Sequence, residues 1–201
     1  MADYNSTILQ IVTKNSDNPE QSNKNLNLNE SDLSFDKNVK IQFVHVNDIL
    51  NLRSRVLRPG QDILRCQFPE DNEPTTFHLG LIFDVNNFDK EMTSNQHMEN
   101  YSSDKKVVCT GTFIKQNHSD IFFSNAKNAY RLRGMATDTN FQGNNLGSIL
   151  LQTAIMILKS NNCDLLWFNA REKAYSFYCN NGFQYYGESF DIQDIGPHKV
   201  M

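Results

Sequence analysis

From Val39 onward, hydrophobic and polar residues recur with two different periods. Val39–Val44 alternates apolar with polar residues, which is typical of a half-buried strand. Residues 145–160 repeat apolar positions every three to four residues, which indicates a helix with one face against a sheet. The same patterns predict strands at Val39–Val44, Thr75–Asp84, Lys106–Gln116, Ala129–Thr137, Asp164–Asn169, Phe183–Tyr186 and Ser189–Ile192, and helices at about 48–58, 145–160 and 172–181.

Local signals place the ends of these helices. Asn47 or Asp48 is predicted to cap the first helix, Pro59-Gly60 to end it, and Gly182 to stop the third. Strands interleaved with helices favour a layered α/β domain.

Two stretches lack either period. Residues 1–38 are rich in Asn, Ser, Asp and Lys, and we expect a disordered or loosely attached tail. Residues 85–105 are polar as well, and we expect a flexible insertion between the second and third strands. The sequence therefore predicts a single folded domain over residues 39–201.

Composition excludes several classes of protein. The chain has 201 residues and a formal net charge of −4, which argues against a nucleic-acid binder that works by bulk positive charge. No targeting segment or membrane span is apparent, so we expect a soluble, cytoplasmic protein. The four cysteines and five histidines are scattered without metal-ligand spacing, which predicts reduced buried thiols and no metal.

The connection between the fourth strand and the second helix is the most informative segment. Small residues follow Thr137, and the apolar helix then begins near Leu146. Free amides and the positive end of the helix dipole make such a turn a seat for an anion, although an ordinary strand–turn–helix connection remains the alternative. The nucleotide-binding patterns GxxxxGK[ST] and GxGxxG are both absent from this segment.

Two segments together resemble the GNAT superfamily of acetyl-CoA-dependent N-acetyltransferases. Gln142-x-x-Asn145-x-Gly147 is similar to the family's [Q/R]-x-x-G-x-[G/A], and residues 167–183 resemble N-x-x-A-x-x-F-Y-x-x-x-G-F. Further pieces, including 55–61, 66–69, 77–80 and the ending 195–201, are similar to a bacterial-type subgroup that acts on small molecules.

The resemblance implies a fold and a cofactor site. The fold is a mixed, mostly antiparallel sheet of about seven strands, splayed between strands 4 and 5 and flanked by helices on both faces. The co-substrate is acetyl-CoA, with no metal. Asn145 stands where the family usually has glycine, and asparagine tolerates a positive φ. The implied cofactor-binding residues are Met135, Ala136, Thr137, Gln142, Gly143, Asn144, Asn145, Leu146, Gly147, Ser148, Asn169 and Lys173.

The same resemblance implies Tyr178 as the general acid that protonates the departing thiolate. Many relatives carry a carboxylate base on strand 4, but this chain has Arg131 and Arg133 there. By strict alternation, Arg131, Arg133, Met135 and Thr137 share one face. The base is therefore sought elsewhere, and the candidates are His78, Glu70, Asp71 and His198.

Arginines suggest the charge of the acceptor. Arg53, Arg131 and Arg133 are predicted to form a cationic pocket, with help from other arginines in and after the first helix. We therefore expect a small amine with an anionic group, such as glucosamine 6-phosphate or an amino acid, rather than a polyamine. A protein or peptide N-acetyltransferase and an inactive acetyl-CoA-binding module remain alternatives. The aromatic closing strands are a candidate homodimer edge, and no nucleic-acid or membrane partner is expected.

Overall fold

The computed structural model describes residues 39–84 and 105–201 of the chain. The predicted tail and nearly all of the predicted insertion lie outside these residues, and Lys105 already begins a strand. The strands are β1 (Val39–Phe43), β2 (Phe77–Asp84), β3 (Lys105–Lys115), β4 (Ala129–Thr137), β5 (Leu165–Trp167), β6 (Asn169–Arg171), β7 (Tyr186–Ile192) and β8 (Gly196–Val200). The α-helices are α1 (Val46–Leu57), α2 (Leu146–Ser160) and α3 (Tyr175–Asn180).

The first five strands form one sheet in the order β1-β2-β3-β4-β5. Neighbours are antiparallel except β4 and β5, which run parallel. Their pairing stops at Arg131 opposite Trp167, although β4 continues to Thr137. The two strands therefore separate beyond this point, which confirms the predicted splayed sheet.

The last three strands form a second sheet in the order β6-β8-β7. The chain crosses between the sheets at Phe168, whose amide and carbonyl each bond to Met201 at 2.9 Å. This crossing divides the predicted strand Asp164–Asn169 in two. The prediction of a strand at Phe183–Tyr186 is wrong, because Phe183 packs on Phe168 instead and the closing strands are β7 and β8.

Helices cover both faces of the first sheet. A Cβ on Gly111 would lie 3.2 Å from Leu150 of α2, whereas the hydroxyl of the next residue, Thr112, meets Arg53 of α1. Since successive strand residues point to opposite faces, α1 and α2 lie on opposite sides of β3. Among the described residues, no helix is long and apolar enough to cross a membrane.

A bulge in β4 interrupts the predicted alternation. Thr110 pairs with Ala136 but Thr112 pairs with Arg133, so β4 carries one extra residue, and Gly134 has φ +61°. The bulge places Met135 near Leu150 on the α2 side, whereas Arg133 lies over Phe68 on the other. The prediction that Arg131, Arg133, Met135 and Thr137 share one face is therefore wrong.

The N-cap of the first helix lies two or three residues before its predicted position at Asn47 or Asp48. His45 is the N-cap: its Nδ1 accepts the Asn47 amide at 3.2 Å, and its own amide donates to Asp48 at 3.1 Å. Asp48 thus completes a capping box from the third helical position. The predicted starts and ends of β4 and α2 agree with the structure to within one residue.

Candidate active site

A cavity of about 690 Å³ lies where β4 and β5 separate. Its walls are the bulged end of β4, the start of α2, strand β6 and helix α3, together with α1 from the other side of the sheet. The crossing at Phe168 and the bulge at Gly134 both shape it, because each removes ladder pairing at this point. Because β4 continues to Thr137 but pairs with β5 only as far as Arg131, backbone groups on this edge of β4 are available to a ligand.

The N-terminus of α2 forms one end of the cavity. Asn145 has φ 58° in the left-handed region, its side chain does not cap the helix, and the first turn carries no acidic residue. The first-turn amides are therefore free to meet an anion, as the diphosphate of coenzyme A requires. A Cβ on Gly147 would stand 3.2 Å from the Phe177 ring, so glycine permits α2 and α3 to pack closely.

Most of the predicted site residues line this one cavity, whereas Asn144 and His78 do not. The side-chain nitrogen Nδ2 of Asn144 instead donates to the backbone carbonyls of Phe141 and Gln142, each at 3.3 Å, and so stabilises the turn. The predicted residues that line the cavity are Met135, Ala136, Thr137, Gln142, Gly143, Asn145, Leu146, Gly147, Ser148, Asn169, Lys173, Tyr178, Arg53, Arg131 and Arg133.

A buried carboxylate that sequence reasoning missed fixes the turn before α2. Asp138 is 1% exposed and accepts from Lys106 at 2.7 Å, from Arg55 at 3.0 Å and from the Asn140 amide at 3.2 Å. Burial alone would raise the pKa of Asp138, but these hydrogen bonds outweigh it and the net pKa is lowered. In the sequence, the signal for this role was the position of Asp138 directly after β4 and before the turn that leads to α2.

Tyr178 lies at the base of the cavity, between the two sheets. Its ring packs on Phe168 with centroids 4.2 Å apart, and its side chain is almost fully buried. Burial, and then the nearby Cys109 thiol, raise the pKa of Tyr178 well above its usual value of 10.0. The phenol therefore stays protonated at neutral pH, which is the form that an acid needs.

His78 is tied into the protein on both ring nitrogens. Nδ1 lies 2.9 Å from Thr112 Oγ1, and Nε2 lies 3.0 Å from the carbonyl of Asp71. Burial and the charge of Arg53 lower the pKa of His78, so the ring is neutral and supports β2. This placement, outside the cavity lining, does not support His78 as the base.

His198 is the one of the four base candidates that lines the cavity. It lies on β8 and is 4% exposed, and its Nδ1 is 2.7 Å from the carbonyl of Gly196. Because a carbonyl can only accept, Nδ1 is the nitrogen that donates in this bond, which leaves Nε2 as the nitrogen that can accept a proton. Such a nitrogen can accept a proton from an amine.

Arg53 is neutralised by the protein itself. Its guanidinium forms two bonds to Asp71, at 2.8 and 2.9 Å, and donates to the Cys66 carbonyl and to Thr112. The pair is buried, with no exposure of either side chain. Arg53 therefore joins α1 to β3 and the 69–72 turn, and this placement does not support its predicted role in binding substrate.

The two arginines of β4 reach the cavity with different partners. Arg133 stacks on Phe68 with its guanidinium 3.9 Å from the ring centre and pairs with Glu70 at 3.2 Å. Arg131 stacks on Trp167 at 4.8 Å and donates to the Gln116 side chain at 3.3 Å. Arg131 forms no ion pair within the described part of the chain.

Two further arginines line the cavity near Tyr178. Arg171 of β6 donates from Nη2 to the carbonyl of Leu57 at 3.0 Å, and Arg58 is the C-cap of α1. Sequence reasoning did not assign Arg171 to the site, although period-two alternation puts it on the same face as Asn169. Counted back from Ala174, the asparagine of the second GNAT-like motif also falls at Arg171 and not at Asn169.

Cys109, the buried cysteine nearest to Tyr178, is not suited to act as an acyl carrier. All four cysteines are unpaired, and Cys179 is exposed, which corrects the expectation that each is buried. Burial raises the pKa of Cys109 to about 12, and its Sγ lies 3.1 Å from Thr137 Oγ1, so the thiol stays protonated and unreactive.

Comparison with known proteins agrees with this geometry. Residues 59–183 match the model of the acetyltransferase (GNAT) family. A Bacillus subtilis (strain 168) protein, described as the uncharacterized N-acetyltransferase YitI, is 31% identical over 163 residues, which cover 81% of this chain and 94% of that protein.

Solved structures share the fold at low identity. ElaA of Escherichia coli matches with a TM-score of 0.54 and 15% identity, over 81% of this chain and 97% of that one. Glucosamine-6-phosphate N-acetyltransferase of Arabidopsis thaliana gives a TM-score of 0.51 and 13% identity, over 78% and 98%. Family match, curated relative and splayed fold together establish that the chain belongs to the GNAT family and is an N-acetyltransferase.

Proposed function

We propose that the protein transfers the acetyl group of acetyl-CoA directly to the primary amine of a small anionic molecule. The observation that carries this proposal is the charge of the cavity lining. Six basic side chains line it and no Asp or Glu does. Arg53 and Arg133 have carboxylate partners behind the wall, but the other four have none within the described residues. The four are Arg58, Arg131, Arg171 and Lys173.

The size of the electrostatic interaction energy favours an anionic acceptor over a polyamine. Two unit charges 4 Å apart interact by about 4 kcal/mol at an effective dielectric constant near 20. A polyamine would experience that repulsion at each of several uncompensated arginines. For a phosphate or a carboxylate the same electrostatic interaction is attractive. Such an anion can also accept two parallel hydrogen bonds from each guanidinium.

The cofactor end of the cavity suits coenzyme A. The free amides at the start of α2 provide bonds for the diphosphate, and Lys173 is an exposed cation at the edge of the cavity. The edge of β4 that has no β5 partner beyond Arg131 supplies backbone groups near Met135 to the pantetheine arm, as an added strand would do. These contacts direct the thioester toward Tyr178.

The reaction needs two proton transfers. The neutral amine attacks the thioester carbonyl carbon, and the carbon–sulfur bond then breaks. His198 Nε2 accepts the proton that leaves the nitrogen, and Tyr178 donates its proton to the sulfur. Exclusion of water raises the basicity of a thiolate, which favours proton donation from the phenol to the sulfur. Exchange with solvent then restores both side chains.

A panel of paired amines tests this proposal. Thiol release from acetyl-CoA is measured with glucosamine 6-phosphate against glucosamine, with glycine against glycinamide, and with spermidine. We expect kcat/KM to be at least about tenfold higher for the anionic member of one pair, given the value of a charged hydrogen bond. Equal rates within both pairs, or preference for spermidine, would contradict an anionic acceptor.

The same panel separates the alternatives when a peptide with a free N-terminus is added. Preferred acetylation of the peptide would favour a protein N-acetyltransferase. Binding of coenzyme A without turnover on any amine would indicate an inactive binding module.

A further inference from the structure

Two uncompensated arginines meet at the C-terminus of α1. Arg58 caps the helix with its own backbone, and its Nη1 reaches Gln61 only at 3.5 Å. Arg171 is held there by the bond from its Nη2 to the Leu57 carbonyl. Both side chains are half-buried and both line the cavity. Within the described residues, neither forms an ion pair.

This arrangement places two positive charges side by side. Burial, and then the adjacent charge of Arg58, lower the pKa of Arg171. Like charges brought together without a carboxylate repel each other and lose hydration. A bound oxyanion would relieve both effects and could accept bidentate bonds from the two guanidinium groups.

The pair is also close to the reacting groups. Arg171 pairs directly with His198 across β6 and β8, and both side chains line the cavity. Directly opposite residues on antiparallel strands have Cβ atoms roughly 4.5–5.5 Å apart. The charge of Arg171 also acts on Tyr178. An anion held here therefore lies within one side-chain length of the candidate base.

We infer that Arg58 and Arg171 form the binding site for the anionic group, phosphate or carboxylate, of the acceptor. The inference rests on the proposed function and adds to it the residues that select the acceptor. Because the anion site and His198 are adjacent, the acceptor must carry its anion and its amine in one compact molecule. Arg58 and Arg171 are therefore specificity residues that touch the substrate, and they take no part in proton transfer.

Substitution of each arginine tests the inference. Arg58→Gln and Arg171→Gln should each raise KM for the preferred anionic amine by about 10- to 100-fold. KM for the uncharged partner amine should change much less, so the preference between the two amines falls, and the double variant should treat the two amines alike. Arg65→Gln is the matched control, since Arg65 is exposed and outside the cavity lining.

Three further measurements make the test decisive. Inorganic phosphate should compete with the acceptor in the parent protein and not in the double variant. The glucosamine 6-phosphate and glycine pairs show whether the anion is a phosphate or a carboxylate. Thermal unfolding of each variant shows whether losing the hydrogen bond from Arg171 to the Leu57 carbonyl lowers stability. Arg58→Gln tests the inference with that hydrogen bond left in place.

Two results would overturn the inference while the proposed function stands. One is an anionic preference that survives in both single variants and in the double variant. The other is an equal loss of affinity for coenzyme A, which would mean that the arginines hold the cofactor. If the parent protein itself shows no anionic preference, the proposed function fails together with the inference.

Discussion

Asn145 shows how one residue preserves a backbone path that glycine usually supplies. Its φ of 58° lies in the left-handed region, where asparagine is among the least disfavoured non-glycine residues. The side chain makes no capping bond and so leaves the helix amides free. The family's turn is therefore kept despite the substitution, as the sequence predicted.

Removal of the Tyr178 hydroxyl should slow catalysis and leave cofactor affinity nearly intact. Tyr178→Phe keeps the ring contact with Phe168 but removes the proton donor, which is worth about 10²–10⁴ in rate for a positioned acid. We expect kcat to fall by tens-fold or more, measured at saturating substrates. Unchanged turnover would exclude the acid role, and calorimetry with coenzyme A is the control for binding.

The pH dependence of the rate should show no contribution from Tyr178 up to about pH 10. Because burial raises the pKa of Tyr178 above 10.0, the phenol keeps its proton and its acid role throughout that range. The pH–kcat profile of the parent protein measures this directly. A fall in kcat between pH 8 and 10 that is absent from Tyr178→Phe would contradict it.

His198→Gln should slow the reaction. Glutamine preserves a polar group of similar size but cannot accept a proton at this position. We expect kcat/KM to fall by about 10²-fold or more at neutral pH. His78→Gln is the comparison, and it should lower stability and leave kcat/KM nearly unchanged.

At the scale of elements, buried charges fasten the segments that hold the cavity. Asp71 accepts two bonds from Arg53 and also the Phe68 amide at 2.7 Å, and it thereby links α1 to the 69–72 turn. Removing one partner of a buried pair leaves an uncompensated charge, which costs about 3–5 kcal/mol.

The free energy of unfolding should therefore fall more when one member of the Arg53–Asp71 pair is replaced than when both are replaced by apolar residues. We expect Asp71→Asn to lower the free energy of unfolding by about 3–5 kcal/mol in denaturant titrations. The double variant Arg53→Met, Asp71→Leu should lose less than Asp71→Asn alone, since no buried charge remains. A double variant that is less stable than the single one would contradict this account.

Asp138 should make stability depend on pH at the acidic end. Its pKa is lowered in the folded protein, so its contribution is present above the unfolded value near 3.9 and is lost as the pH falls through the folded value. Asp138→Asn should cost about 1–2 kcal/mol at pH 7, and the cost should shrink as the pH falls from the unfolded pKa through the lowered folded pKa. Asp191→Asn, an exposed position on β7, is the matched control.

The elements that sequence reasoning predicted well are those with strong local signals. The span of β4 and the helix that starts at Leu146 were predicted to within one residue, because the turn between them contains small residues and clear periodicity. β8 was missed, since it pairs with β6 although α3 and β7 lie between the two strands in the sequence. The bulge at Gly134 was missed because one extra residue leaves no periodic mark.

At the scale of the whole molecule, charge is distributed unevenly. The chain has a formal net charge of −4, yet its cavity is lined by six basic and no acidic side chains. Such a cleft concentrates its positive field and attracts anionic ligands despite the overall charge. Tertiary contacts decide which arginines keep an uncompensated charge. Asp71 neutralises Arg53. Arg171, which the sequence did not place in the site, has no carboxylate partner among the described residues.

Calorimetric titration of coenzyme A, into the parent protein and into Ser148→Asp, shows whether the first-turn amides of α2 hold the diphosphate. Ser148 lies in the first turn of α2, where a carboxylate stabilises the helix dipole but repels a diphosphate. We expect one-to-one binding to the parent, at least about tenfold weaker binding to the variant, and an unfolding temperature that does not fall. Gln152→Glu, with the same added charge farther along α2, should bind normally. Equal affinity of all three proteins, or no binding by the parent, would contradict the claim that the α2 amides hold the cofactor.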